Sequence, residues 1–235
     1  MQREAHPGAL SHHGGIRSFV IRETRISEAQ RRAWTELMPR YEIPFRPGEV
    51  CVHDYCRADT ELVVEIGFGM GEATAAIARQ FPQTDFVAID VHRPGIGSLL
   101  LRLEREGLDN VRVIRGDAVD VLSGMVRQES LAGVHLFFPD PWPKKRHHKR
   151  RFLNPAGAEL LGRVLRPGGY CYAVTDWEDY ALQMRAVIAA EPGLEVGEAG
   201  VHRLRAWRPE TAFERKGRAA GRAIEEIIAV KRGEE

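Results

Sequence analysis

One segment limits the fold more than any other. An apolar, β-branched run at residues 61–66 passes through a glycine-rich turn, Gly67-Phe68-Gly69-Met70-Gly71, directly into a helical pattern over residues 72–80. The run reads as a buried strand, and the glycines allow a tight turn and a ligand's close approach to the backbone and the helix N-terminus. The same rhythm then continues. Strands are predicted at 85–90, 111–115, 134–138 and 170–175, and helices at 94–106, 118–128, 155–165 and 178–190. Pro94 suits a first helical turn, Gly107 a helix end, and Pro167-Gly168-Gly169 stops the helix before the fifth strand. Two further strands are predicted near 194–198 and 223–230. This alternation demands an α/β fold: a mostly parallel seven-stranded sheet with helices on both faces.

Residues 1–25 read as a flexible basic arm, and 26–235 as a single domain. A helix starts near Ser27, which forms a capping-box pattern with Gln30, and Ala33, Leu37 and Tyr41 fall on one face. Residues 42–60 read as a connector. The chain has 235 residues, enough for one sizeable core. No run of 18 apolar residues and no apolar N-terminal signal core are present, so a cytoplasmic protein without membrane association is expected. Cys51, Cys56 and Cys171 make no disulfide framework, and no second ligand pair follows Cys51, His53 and Cys56, so no metal is expected.

The second informative stretch runs from Phe137 to Phe152. Pro139-Asp140-Pro141-Trp142 reads as a stiff loop presenting one carboxylate and one flat ring, and it leads into a basic block. Six of the eight residues from Lys144 to Arg151 are Lys or Arg, whereas the whole chain has a formal net charge of only +1. Such a block is either a solvated charge run or a polyanion site; its position beside the presumed ligand edge of the sheet favours the polyanion site. Trp142 is equally readable as an anchor at the loop base. The basic residues Arg17, Arg22 and Arg25 of the arm, and Arg203, Arg205, Arg208, Arg215, Lys216, Arg218 and Arg222 near the C-terminus, add further positive surface.

The glycine spacing discriminates between ligands. A dinucleotide fingerprint would place its third glycine at position 72, which is Glu72; the turn here is Gly-x-Gly-x-Gly, preceded by Glu65. It resembles the first motif of Rossmann-like S-adenosylmethionine methyltransferases. Asp90 closes the second strand, where an acid can accept ribose hydroxyls. Asp117 follows the third strand, where it serves either a ligand or a helix N-cap. Acids at strand ends fit a ligand without phosphate better than one that carries it.

Phe138 to Arg151, read as Phe-Pro-Asp-Pro-Trp-Pro-Lys-Lys-Arg-His-His-Lys-Arg-Arg, is similar to the signature of the bacterial tRNA (guanine-N7-)-methyltransferase family. Arg17-Ser18-Phe19, Thr175-Asp176-Trp177-Glu178-Asp179-Tyr180 and Thr211-Ala212-Phe213-Glu214 resemble further segments of that family, so the resemblance covers about residues 17–230. It implies a class I S-adenosylmethionine-dependent methyltransferase fold and methyl transfer to N7 of guanine in tRNA, at the variable-loop guanosine in position 46, giving 7-methylguanosine. It implies cofactor contacts at Glu65, Gly67, Gly69, Gly71, Asp90, Asp117, Ala118 and Asp140, with Asp140 catalytic. Substrate contacts are implied at Lys144, Asp176, Thr211, Ala212, Phe213 and Glu214, and an RNA-binding patch at Lys145, Arg146, Lys149, Arg150, Arg151 and Arg215. Two positions depart from the family pattern: Asp90 stands where Glu is frequent, and Ala212 where a basic residue is common. Thr211 with Glu214 also spells a local capping box. Whether the protein is a monomer or a homodimer stays open.

The chemistry asks little of a base. Guanine N7 is an unprotonated acceptor, so its methylation removes no proton from that atom. Asp140 is the expected catalytic group, acting on the positive charge that develops or holding the guanine through N1–H. The rival readings are a methyltransferase for an exocyclic amine and a non-catalytic RNA-binding protein on the same fold.

Overall fold

A computed structural model describes residues 19, 25–197 and 206–233. Most of the expected arm, with Arg17, Ser18 and Arg22, lies outside the described residues, as do Arg203 and Arg205.

Seven strands form one sheet: β1 (Glu61–Ile66), β2 (Thr84–Asp90), β3 (Val111–Arg115), β4 (Leu131–Phe137), β5 (Leu165–Thr175), β6 (Leu194–Val196) and β7 (Glu225–Lys231). Their order is β3-β2-β1-β4-β5-β7-β6. Pairing is parallel from β3 across to β5, and β7 runs antiparallel to both β5 and β6. The α-helices given by the described residues are α1 (Glu28–Glu36), α2 (Met38–Tyr41), α3 (Glu72–Gln80), α4 (Arg93–Glu106), α5 (Ala118–Gly124), α6 (Pro155–Val164), α7 (Glu178–Ala190) and α8 (Ala212–Ala219).

The period-2 alternation of strand side chains sorts the core into two layers. Leu62, Val64 and Ile66 of β1 pack with α5, α6 and α7, whereas Val63 joins the layer under α1 to α4. Both sheet faces are therefore covered, as parallel strands require. Among the described residues, no helix is long and apolar enough to cross a membrane.

Several boundaries differ from expectation, two of them for a tertiary reason. The helix predicted over 118–128 stops at Gly124, because the connector takes its last carbonyls: Gly48 donates to Gly124 O (2.8 Å) and Val52 to Met125 O (2.8 Å). That connector is packed and not loose; it holds a 3-10 turn at Val52–Tyr55 and buries Ile43 and Val52. Pro167-Gly168-Gly169 does not end α6. It lies inside β5 as an irregularity, with Leu131 opposite Leu165 and Gly133 already opposite Tyr170. The N-terminal helix breaks at Leu37, since Pro39 has no N–H to continue the ladder.

The sheet buries one imidazole whole. His135 of β4 is 1% exposed, bonds the Tyr170 hydroxyl through Nε2 (3.0 Å), and has no partner for Nδ1 among the described residues. Burial lowers its pKa to about 3. Since the unfolded imidazole titrates near 6.5, the unfolded state binds more protons between those values, and stability falls as pH drops through about 6.5. The contribution lost between pH 7 and pH 5 is on the order of 2 kcal/mol. Urea titrations at both pH values should show that loss in the wild type and a smaller one in His135→Gln; equal losses would clear His135 of the effect.

Candidate active site

The strand order reverses between β1 and β4, so the loops leaving their carboxyl ends part and open a crevice, the usual ligand position in open α/β sheets. A cavity of about 510 Å³ lies there. Among the described residues, the lining comes mainly from the β1–α3 turn, the end of β2, the loop after β4 and the start of α8, joined by Gly116 and Ala118 between β3 and α5.

The β1–α3 turn is built on left-handed backbone. Gly67, Gly69 and Gly71 have φ of 71°, 60° and 74°. Gly71 is the N-cap of α3, and a Cβ there would sit 2.7 Å from Leu99 Cβ. The first turn of α4 closes on the loop even more tightly: a Cβ on Gly95 would lie 2.0 Å from the Gly69 carbonyl oxygen. Gly95 was not singled out from the sequence, although a glycine inside a helical pattern signals close backbone approach. Asp90 fastens the turn from the β2 side. Its carboxylate accepts from Gly69 N (3.1 Å), Val91 N (2.7 Å) and His92 N (2.9 Å). Burial raises the Asp90 pKa, and these N–H bonds oppose the rise.

Glu65 is 2% exposed and lines the same cavity. Burial pushes its pKa up to about 7, the Thr74 hydroxyl opposes this, and the Asp90 charge adds to it. A buried carboxyl at that value is poised to ionise when a cation arrives. Asp117 is buried and caps α5, accepting from Val119 N (3.0 Å); its neighbours Gly116 and Ala118 line the cavity, while Asp117 itself does not.

Across the crevice, β4 ends in a strained loop. Phe138 and Trp142 have φ of 50° and 46°, a region costing non-glycine residues about 1–3 kcal/mol each. Between them, Asp140 is exposed and lines the cavity. Among the described residues its carboxylate has no hydrogen-bond or ion-pair partner. Arg151 holds the loop from behind. It is 1% exposed and donates to Pro141 O (2.8 Å), Gln183 Oε1 (2.7 Å) and Asp179 Oδ2 (2.6 Å), with its guanidinium 4.7 Å above the Tyr180 ring. The hydrogen bond from Arg151 keeps the Asp179 carboxyl below its ordinary pKa. This corrects the expected patch: Arg151 cannot reach a phosphate, because its donors are already used in the interior. Lys145–Arg150 form an exposed 3-10 turn; Lys145, Arg146 and Lys149 face solvent, and Arg150 lies 4.5 Å over the Trp142 ring.

The C-terminal segment supplies the cavity's rim. Thr211 caps α8 by accepting from Glu214 N (3.2 Å). The capping box is only half made, since the Glu214 side chain turns inward to Arg208 (2.7 Å) and Arg218 (2.8 Å). Burial opposes ionisation of Glu214, but the two arginines hold its pKa below the ordinary value. Arg208 is buried as well, bonded also to Glu226 (3.2 Å) and the Tyr172 hydroxyl (3.1 Å). Glu214 is therefore a support for α8 and not a cavity group, and Arg208 is not a surface cation. Thr211, Ala212 and Phe213 do line the cavity. Phe213 is 58% exposed and stacks on Phe138 at 6.4 Å. Asp176 pairs with Arg222 (3.1 Å) under α8, and Lys144 precedes the basic turn; neither lines the cavity. Arg215 is exposed, 3.9 Å from Glu210.

Replacing Arg151 with Ala should cost about 3 kcal/mol of unfolding free energy through its lost charge-assisted bonds, whereas Lys145→Ala should stay within about 0.5 kcal/mol. Denaturant midpoints of the two variants check this; a neutral Arg151→Ala would return that residue to the surface patch.

Comparison with known proteins agrees with this architecture. Residues 59–227 match the family model described as "Putative methyltransferase". The chain is 47% identical over 222 residues to the tRNA (guanine-N(7)-)-methyltransferase of Nitrosomonas eutropha, covering 94% of this chain and 99% of that one. It is 45% identical over 227 residues to the enzyme of the same name from Paraburkholderia xenovorans, covering 97% and 87%. Among solved structures, the 16S rRNA methyltransferase KamB superimposes with a TM-score of 0.54 at 16% identity, covering 90% of this chain and 97% of that one. The aminoglycoside resistance methyltransferase NpmB1 gives 0.53 at 17% identity, covering 77% and 91%. These two likenesses concern the fold, that of class I methyltransferases.

Proposed function

The chain belongs to the tRNA (guanine-N(7)-)-methyltransferase family, and from that premise we propose that it methylates N7 of the variable-loop guanosine, position 46, of tRNA, giving 7-methylguanosine. The observation that carries the reading is a single cavity that joins Glu65, the glycine turn and Asp90 on one wall to Asp140, Trp142 and Phe213 on the other.

The first wall suits S-adenosylmethionine. That molecule offers an ammonium and two ribose hydroxyls, and the wall offers acids and open backbone: nothing lies within 4 Å of the position a Cβ would take on Gly67. Glu65 is the acid for the ammonium and Asp90 for the ribose. Ala118 and Gly116 line the same cavity beside the Asp117 cap. When bound, the cofactor supplies an electrophilic methyl carbon.

The protein's part is alignment and charge. Holding N7 in line with the methyl carbon can contribute roughly 7–11 kcal/mol, with no proton to remove from N7. The purine becomes positive as the bond forms, and the Asp140 carboxylate stabilises that charge while accepting from N1–H. Thr211, Ala212 and Phe213 form the rim against which the base lies, and Asp176 acts through α8 by way of Arg222 and the close contact at Gly217. Lys144, Lys145, Arg146, Lys149 and Arg215 offer exposed cations to RNA phosphates.

The decisive experiment is incubation with unmodified tRNA transcript and methyl-labelled S-adenosylmethionine, followed by nuclease digestion and mass spectrometry. Label in 7-methylguanosine at position 46 is expected; label in another nucleoside would move the enzyme to a different target. Asp140→Asn should lower kcat by about 100-fold or more, as loss of a transition-state electrostatic group does, with cofactor affinity near normal. Unchanged turnover would remove Asp140 from the chemistry.

Glu65 makes cofactor binding pH-dependent. With its pKa near 7, part of the unliganded protein is protonated at neutral pH, and only the carboxylate attracts the ammonium. Affinity should therefore rise as pH increases through about 7 and level off above it. Calorimetry in buffers of different ionisation enthalpy should record proton release on binding at pH 7; its absence would show that Glu65 is not the group that meets the ammonium.

A further inference from the structure

We infer that Phe213 is a further catalytic residue: its ring lies against the face of the target guanine and stabilises, through a cation–π contact, the positive charge that the purine gains as N7 is methylated; this rests on the guanine-N7 reading above. Phe213 is 58% exposed and lines the cavity. Its backbone is nonetheless held on both sides. Thr211 caps α8, and Glu214, the next residue, is buried and bonded to Arg208 and Arg218. The exposed ring therefore belongs to an anchored turn of helix. It reaches both walls of the crevice. Its Cε2 lies 3.8 Å from the point that a Cβ on Gly69 would take, and the ring runs nearly parallel to Phe138, at an interplanar angle of 19° with centroids 6.4 Å apart. Met70 of the glycine turn, 45% exposed, lines the same cavity. An open apolar surface of this kind marks a ligand site, and flat rings at such sites serve as platforms for extruded bases.

The ring already attracts a cation. The Lys216 ammonium, from the next turn of α8, lies 5.9 Å from the Phe213 centroid. Arg215 and Arg218 pair with Glu210 and Glu214, whereas Lys216 is exposed and has no ion-pair partner among the described residues. An ammonium on a flexible, solvated stem leaves the ring at little cost, and the charged purine takes its place. That charge arises from the bond exchange itself. The N7 lone pair forms the bond to the methyl carbon, the carbon–sulfur bond breaks with its electron pair kept by sulfur, and the positive charge passes to the purine with no proton leaving N7. Asp140 meets the base at its N1–H edge and Phe213 meets its face, so the two act from different directions. An aromatic face favours the charged purine over the neutral one. Only such a difference between ground state and transition state accelerates the step.

The test is a fluorination series. Site-specific replacement of Phe213 by mono-, di- and trifluorinated phenylalanine drains the negative face of the ring while nearly preserving its size, so each full-length variant keeps the packing against Phe138. Phe213→Leu, which keeps an apolar side chain and removes the π face, is a second route to the same loss. Two quantities are read for each. The first is the single-turnover rate of methyl transfer to unmodified tRNA, which should fall stepwise with each fluorine, by about 5- to 30-fold at the trifluoro variant, the scale of one cation–π contact. The second needs no turnover: the Kd for synthetic tRNA carrying 7-methylguanosine or guanosine at the target position, in mildly acidic buffer where the methylated base keeps its N1 proton. Affinity for the methylated tRNA should fall by a similar factor and affinity for the guanosine tRNA much less, with the cofactor Kd unchanged. A merely structural role would not follow ring charge or separate the two tRNAs. A flat rate and a flat Kd across the series would overturn the assignment. Equal losses for the two tRNAs would also overturn it, leaving plain stacking, and so would a cofactor Kd that rises with fluorination, which would give the ring to the sulfonium. Wild type that methylates tRNA at no guanine N7 would instead overturn the underlying functional reading.

Discussion

The reversal of strand order between β1 and β4 is the constraint from which the rest of this molecule follows. Adjacent parallel strands send their following helices to opposite faces at that point, so two loops leave the sheet edge side by side without covering each other. Several of the groups around the resulting cavity are tied to neighbouring elements. Asp90 ties the glycine turn to β2 through three backbone N–H groups, and Gly95 lets α4 close against that turn. Arg151 ties the opposite loop to α7. Both walls are thus tied to the sheet and to α7 by several hydrogen bonds.

The same economy governs the positive charge. Two arginines that a reader of the sequence would assign to RNA, Arg151 and Arg208, are interior struts. Each satisfies its guanidinium with several acceptors, which is what a buried cation requires. Arg208 sits between Glu214 and Glu226 and so seats α8 on β7; that seating carries Thr211 and Phe213 to the cavity rim. The 3-10 turn that follows Trp142 instead keeps Lys145, Arg146 and Lys149 in solvent. A nearly neutral chain thereby keeps a local electropositive surface.

Much of the fold was legible in the chain because burial on both faces of a parallel sheet writes itself as short apolar runs. β1, β3, α3 and α7 have the bounds their residues predict. Two of the errors fall where a distant segment competes for backbone groups. α5 ends early because Gly48 and Val52 take its carbonyls, and Pro167-Gly168-Gly169 extends β5 because β4 pairs beyond it. Neither contact leaves a local trace, since the partners lie tens of residues away.

For the site, the sequence by itself determined the chemical types: a glycine turn, acids at strand ends, a stiff acidic and aromatic loop, and a basic block. These are local matters of backbone freedom and charge, and spacing records them. Only the tertiary structure decided which of them share one cavity. It set Glu65, Asp90, Asp140 and Phe213 around the same space, left Asp117 as a helix cap, and turned Glu214 and Arg151 inward. Burial is the physical reason. A charged side chain near a sheet edge either faces the cavity or pairs in the interior, and the neighbours that decide between the two come from elsewhere in the chain.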